Sequence, residues 1–350
     1  SSKDMAKEMG LGISLGNTME SVWTAETKKY SGSRMIDDNT PQVYEKCWGA
    51  VVTTQEVIDG MYEAGFNNMR IPVHWGNMML EDGSMTINED YFDRVEEIIN
   101  YCLNNKLYVV INIHHYDEHI IKNFSQSEAL EIMDKLWTQI AERYKEYSDY
   151  LIFEGYNESL GAKRENDNYS EDEMFDYINA LNKVFVDSVR ATGGNNAQRV
   201  LIVSGYWTNI DLTTDSHFII PSDIVTDRIM VSVHYPDNSY YWMKKIGGED
   251  WINYIKSQCD LLKNAFTDKG YTVFLGEVAS IYPSDRFASN ATITESSECV
   301  KTMLKLLCDY GFVPVLWDVN DIFYSRTEYR IKSMDDAEAI SELYYYLRDK

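Results

Sequence analysis

Eight short apolar runs, each followed by a loop and then an amphipathic stretch, constrain this chain more than any other feature. The runs lie at 11–15, 67–73, 108–113, 150–154, 200–203, 229–233, 272–275 and 313–316. They are brief and rich in Val and Ile, the pattern of strands buried on both faces. The intervening stretches carry helical stripes. Tyr91, Val95, Ile98, Ile99, Cys102 and Leu103 form one face over 90–105, and Leu130, Met133, Leu136, Trp137, Ile140 and Tyr144 another over 128–147. Further helical patterns occupy 250–267, 295–310 and 335–347. Capping boxes at Thr53–Glu56, Ser125–Glu128, Ser170–Glu173 and Thr292–Glu295 mark helix starts. Strand and helix alternating eight times predict an α/β fold, a (β/α)8 TIM barrel formed as one domain over 1–350. A doubly wound open sheet is the alternative, but Gly10-x-Gly12-x-x-x-Gly16 is not the phosphate-binding fingerprint such a sheet carries after its first strand.

Charge narrows the partners. The net charge of −24 argues against nucleic acid and against an anionic membrane surface, since both demand clusters of Lys and Arg. A neutral polymer remains compatible. The 8 Trp, 26 Tyr and 12 Phe exceed what a core needs, so some rings are expected to line a cleft. Among them, Trp23, Trp48, Trp75, Trp207, Tyr240, Tyr241, Trp242 and Trp317 fall in or near loops after strands, and the stretch 20–50 is expected to wall one end of that cleft. Five cysteines without a C-x-x-C pair imply neither a zinc site nor a disulfide framework; Cys102, Cys299 and Cys308 sit on apolar helical faces. No run approaches the length of a membrane span. The first residues lack the apolar centre of a secretory leader, so a secreted, extracellular chain is expected to have lost one. A monomer is the expectation.

In such a barrel the chemistry sits at the C-terminal strand ends. Standing there are Asn17, Arg70, His114 and His115, Asn157 and Glu158, Trp207, His234 and Tyr235, Glu277, and Trp317 and Asp318, taken from the first strand to the eighth. Two carboxylates on separate strands, Glu158 and Glu277, suit glycoside hydrolysis, in which one protonates the leaving oxygen and the other, ionised, attacks the anomeric carbon. Arg70 near Glu277 is expected to keep that carboxylate charged, and Asn157 to hold a sugar 2-hydroxyl. The adjacent His114 and His115 raise a metal-dependent hydrolase as an alternative. Strand alternation turns only one of them inward, with His114 the choice, and no ligand set with metal spacing accompanies it. No metal and no cofactor are therefore expected.

The motifs LGNT, MRIPV, INIHH, FEGYNE, VHY, LGE and VLWD, in this order across nearly the whole chain, resemble glycoside hydrolase family 5, in the branch with endoglucanases and xyloglucanases. The resemblance implies a retaining endo-β-1,4-glucanase, with Glu158 as acid/base, Glu277 as nucleophile, Arg70, His114 and His234 in support and Trp317 as a sugar platform. Xyloglucan, mixed-linkage glucan, mannan or xylan as substrate, or a non-catalytic glycan-binding barrel, are the alternatives. Three positions depart from the family pattern. Ser159 stands where Pro usually follows the Asn-Glu pair, Ser14 replaces an aromatic residue, and His234-Tyr235-Pro236 replaces His-x-Tyr. The tyrosine that touches the nucleophile is then Tyr235 or Tyr240, or the role is vacant.

Overall fold

The structure is a computed structural model that describes residues 1–22, 39–161, 169–279, 296–319 and 321–350. Each of the eight apolar runs forms a strand: β1 (Gly12–Ser14), β2 (Asn68–Ile71), β3 (Tyr108–Ile111), β4 (Leu151–Glu154), β5 (Leu201–Ser204), β6 (Ile229–His234), β7 (Thr272–Ala279) and β8 (Val313–Trp317). All pair in parallel in sequence order, and β1 pairs with β8 to close the barrel. The helices Glu89–Asn104, Gln126–Tyr144, Gly248–Ala265, Ser296–Asp309 and Met334–Arg348 match the five expected windows within a few residues.

Two of the expected capping boxes form, at Ser125–Glu128 and Ser170–Glu173. The one expected at Thr53 does not. The helix Gln55–Glu63 follows Thr54, whose side chain makes no cap bond. The Thr53 amide instead donates to the buried Glu45 carboxylate at 2.6 Å, which also accepts from Arg94 at 2.9 Å. The box at Thr292–Glu295, and Trp23 with most of the proposed cleft wall, lie outside the described residues.

Strand periodicity divides the apolar residues into two layers. Met69, Ile71, Val109, Ile111 and Phe153 point outward and pack under the helices. Val110, Ile152, Ile202, Met230, Phe274, Val313 and Val315 fill the barrel foot. An N-terminal helix, Ser2–Met9, which the sequence reading did not anticipate, closes that foot with Met5, Ala6 and Met9. Asn68 fixes the plug by donating its side-chain amide to the Met9 carbonyl at 2.9 Å. One layer up on the same inner face stand Arg70, Asn112, Glu154 and Ser232, all fully buried. The fold thus sets a dry polar layer on an apolar plug, directly beneath the barrel mouth.

Trp75, expected among the cleft aromatics, is a core residue. It is fully buried, and its indole N–H donates to the Asn112 carbonyl at 2.9 Å. Cys102 and Cys299 are buried as their helical faces imply, and Cys308 is half-buried. Among the described residues, no helix is long and apolar enough to cross a membrane.

At the opposite end from the mouth, fully buried Arg199 donates to the carbonyls of Tyr144, Tyr147, Ser148 and Leu151 and to the Asn196 side chain. Replacing it strands several buried acceptors, each costing about 1–3 kcal/mol. Arg199→Ala is expected to lower unfolding free energy by about 3 kcal/mol or more in urea melts, with turnover per folded molecule unchanged.

Candidate active site

The polar layer is organised by Arg70, the inward residue of β2. Its Nε donates to Glu154 Oε2 at 2.7 Å, Nη1 to Glu277 Oε1 at 3.1 Å and Nη2 to Asn157 Oδ1 at 2.9 Å. Glu154 is held further by Ser232 Oγ at 2.8 Å and Asn112 Nδ2 at 3.1 Å. Because Arg70 occupies the Asn157 oxygen, the amide nitrogen of Asn157 remains as a donor toward the cleft.

Glu277 does not end β7 as expected. It lies within the strand, where the register shifts between Leu275 and Val278 against β8 and between Val233 and His234 against β6. Such irregularities re-aim side chains at barrel rims. Gly276 is required beside it, since a Cβ there would stand 2.8 Å from His234 Nε2 and 3.2 Å from Glu154 Oε1. Tyr235 donates its hydroxyl to Glu277 Oε2 at 2.7 Å, which assigns the tyrosine contact left open between Tyr235 and Tyr240. A left-handed backbone, φ 45°, turns its ring inward directly after His234.

Glu158 faces this group from the loop after β4. His234 Nδ1 lies 2.9 Å from Glu158 Oε1 and 3.8 Å from Glu277 Oε2. One oxygen from each glutamate and one nitrogen of His234 all fall within 4.8 Å of one another. Glu277 is nearly buried, whereas the Glu158 side chain is 36% exposed toward the cleft.

Burial and neighbouring charge act differently on the two glutamates. Burial pushes the Glu277 carboxyl up, and the negative Glu158 adds to this; His234, Arg70 and Tyr235 oppose without prevailing. At Glu158 burial also acts upward, but the His234 hydrogen bond and charge, with help from Arg70 and His115, bring the carboxyl below its ordinary value. Arg70 touches Glu277 at 3.1 Å but also pairs with Glu154 at 2.7 Å.

The histidines behave differently from a strand pair. Alternation holds from Asn112 to His114, whose Nδ1 lies 3.3 Å from the Asn112 amide nitrogen, but breaks at His115, where φ is 62°. His114 is buried, 5.9 Å from the Trp317 ring and parallel to it. Burial and then the neighbouring positive charges, His115 foremost, push its pKa well down, so it is neutral. His115 is exposed and lies against Trp48, 5.7 Å between rings.

Trp317 is half-buried at the mouth, and a Cβ on Gly16 would come within 3.3 Å of its ring. Trp207, with φ 52°, lines a pocket of about 340 Å³ together with Glu158, His234, Tyr235, Trp242 and Gln258. Asn17 is half-buried at the mouth and, among the described residues, does not join the hydrogen-bonded group. Its amide donates to buried Glu20, while Arg326 binds Thr18 Oγ1 and the Gly16 carbonyl, each at 2.8 Å. The sequence reading missed Asn112, Glu154 and Ser232. The available signal was strand period, because Asn112 and Ser232 each precede a site histidine by two residues.

Tyr235→Phe removes a donor that favours ionised Glu277, so that carboxyl rises further. The acid limb of the kcat/KM pH profile is expected to move to higher pH by about one unit, with the alkaline limb little changed. An unmoved acid limb contradicts the contact's role.

Comparison with known proteins agrees with this geometry. Residues 27–322 match the family described as Cellulase (glycosyl hydrolase family 5). Endoglucanase A of Paenibacillus barcinonensis is 32% identical, with 89% of this chain and 80% of that protein covered. Endoglucanase 1 of Ruminococcus albus is 33% identical over 91% of this chain and 73% of its own length. Against Endoglucanase A of Clostridium longisporum, 32% identical over 84% of this chain, the match spans only 56% of the relative. Among solved structures, a broad-specificity endoglucanase of family 5 subfamily 4 from an uncultured bovine rumen ciliate superposes with a TM-score of 0.84 at 28% identity, covering 99% of this chain and 98% of that one. These similarities, together with the paired glutamates at the barrel mouth, establish that the chain belongs to glycosyl hydrolase family 5.

Proposed function

We propose that the chain is a retaining endo-β-1,4-glucanase in which Glu277 is the nucleophile and Glu158 the acid/base. The observation that carries this is the closeness of the two carboxylates, one oxygen of each lying within 4.8 Å of one of the other. Inverting enzymes separate their carboxyls by roughly 6.5–9.5 Å to admit a water, and retaining ones by about 5–5.5 Å. In the first step a Glu277 oxygen bonds to the anomeric carbon as the glycosidic bond breaks, and Glu158 gives its proton to the leaving oxygen. In the second, Glu158 takes a proton from water, the water oxygen bonds to the anomeric carbon, and Glu277 leaves. Burial of the Glu158 carboxyl by a bound sugar favours its protonated form, the form that must give up a proton. The two donors on Glu277, Arg70 and Tyr235, then hold its charge.

Asn157, whose oxygen accepts from Arg70 and whose amide nitrogen is a donor, suits the 2-hydroxyl, and Trp317 over His114 suits a sugar face on the glycone side. The pocket beside Glu158, with Trp207 and the 74% exposed Trp242, suits the leaving-group side. Asn17 and His115 complete the mouth as substrate contacts. Solved relatives include a xyloglucanase of Bacteroides ovatus with a heptasaccharide and a broad-specificity endoglucanase of Ruminococcus champanellensis with cellotriose. Linear β-1,4-glucan and xyloglucan are therefore the first substrates to test, ahead of mannan and xylan. Such polymers do not enter cells, which favours action outside the cell, and the monomer is taken as the working form.

Glu158, His234 and Glu277 also form a three-donor group that a cation could occupy. Arg70, 3.1 Å from Glu277, opposes a second positive charge there. Full activity after exhaustive chelation is expected, and its loss supports the metal reading.

Reducing-sugar release and product size are measured on carboxymethyl-cellulose, xyloglucan, lichenan, mannan and xylan. Internal cleavage of at least one β-glucan is expected, with Glu158→Ala and Glu277→Ala each losing about 10³-fold or more. An inactive parent, or a variant that keeps most of its rate, moves the non-catalytic glycan-binding barrel to the front.

A further inference from the structure

Glu158 must meet a leaving oxygen, yet among the described residues only His234 holds its carboxylate, and 36% of its side chain is exposed. Its placement therefore depends on the backbone to either side. On one side Asn157 is fixed by Arg70 at 2.9 Å. On the other stands Ser159, which has no ring to restrict the backbone.

Ser159 is fully buried, and its hydroxyl donates to Asp117 Oδ2 at 2.5 Å. Its carbonyl accepts the Trp207 amide at 3.2 Å, and the Gly161 amide returns to the Glu158 carbonyl at 3.4 Å. The turn is conformationally expensive. Leu160 has φ 72°, a left-handed backbone that a branched residue adopts only when its surroundings impose it. Gly161 is pressed so close to Trp207 that a Cβ there would lie 2.0 Å from the indole nitrogen.

Asp117 lies in the first turn of the helix Tyr116–Asn123, which begins directly after left-handed His115. It too is fully buried, and its second oxygen, Oδ1, has no hydrogen-bond partner. Burial pushes its carboxyl up to about 6, opposed by the Ser159 hydroxyl and by the amides of Glu118 and Asn157. A carboxylate taken wholly out of water for one side-chain bond is costly to keep. The bond it makes fixes the residue next to Glu158.

We propose that Asp117 is a positioning residue for the acid/base, acting through the Ser159 hydroxyl to fix the backbone on the far side of Glu158. With Arg70 on Asn157, the acid is flanked by two buried side-chain anchors, one on each neighbour. The same Ser159 ties this turn to the Trp207 loop, so the anchor also sets the acid relative to the pocket on the leaving-group side. The proposal rests on the assignment of Glu158 as acid/base.

The test compares kcat/KM on unsubstituted cello-oligosaccharides with kcat/KM on 2,4-dinitrophenyl β-cellobioside, whose leaving group departs without a proton. Ser159→Ala and Asp117→Ala are expected to lose about 10–100-fold on the oligosaccharides and little on the activated substrate. Asp117→Asn, which keeps an acceptor oxygen, is expected to recover most of the loss, and the Ser159/Asp117 double alanine to lose no more than either single change. Ser159→Ala removes one hydroxyl and keeps the test open should Asp117→Ala not fold. Equal losses on both substrates, additive losses, or no loss in a folded Ser159→Ala overturn the proposal. Those results leave the function assignment standing if the parent cleaves β-glucan and Glu158→Ala shows the same contrast between substrates in stronger form. Absence of that contrast in Glu158→Ala removes the assignment itself.

Discussion

The site depends on one buried guanidinium. Arg70 is fully enclosed within the barrel and spends its fork on three residues from two other parts of the wall: Glu154 and Asn157 from β4 and its loop, and Glu277 from β7. Removing one partner of such a buried pair costs about 3–5 kcal/mol, because the charge left behind has no water to turn to. The apolar plug at the foot makes this arrangement rigid. Met5, Met9, Val110, Ile152, Phe274 and Val315 keep solvent out from below, so the polar layer is solvated only from the mouth, where substrate enters. Glu154 then serves to hold Arg70 in place rather than to meet substrate. It is fully buried and takes up Arg70, Asn112 and Ser232.

Strain gathers at the same end of the barrel. Asn17, His115, Leu160, Trp207 and Tyr235 all have left-handed backbones, and each lies in a loop just past the C-terminal end of a strand. Such conformations cost about 1–3 kcal/mol each and persist only where the surroundings over-determine them. What they achieve here is aim. Tyr235 reaches Glu277 from the residue after His234, and His115 stands over a site that His114 supports from beneath. The register shifts in β6 and β7 serve the same end for His234 and Glu277.

The barrel was legible because its strands are buried on both faces and its helices on one, which writes two different periods into the chain. The two glutamates were legible because each closely follows a separate apolar run. The polar layer below them was hidden. Asn112, Glu154 and Ser232 sit among apolar strand residues, and only their inward phase separates them from the rest. Backbone geometry at the mouth was hidden as well. Strand alternation was extended to His115, where a φ of 62° breaks it, and the tyrosine contact depended on a φ value that sequence does not write. Trp75 looked like a loop aromatic and is core, because the short helical turn Trp75–Met78 folds back onto Tyr91 and Phe92. The charge on Arg70 was foreseen as decisive for Glu277. Arg70 does act to lower the Glu277 carboxyl, but burial, which raises it, is the larger effect.

The central claim is that Glu277 bonds to the sugar. It is tested most directly by incubating the protein with 2,4-dinitrophenyl 2-deoxy-2-fluoro-β-cellobioside, whose fluorine slows the second step, and measuring intact mass followed by peptide mapping. The structure predicts a mass gain of one fluorocellobiosyl group, carried by the peptide containing Glu277 and absent from Glu277→Ala. No stable adduct on an enzyme that turns over the unfluorinated substrate, or an adduct on Glu158, contradicts it.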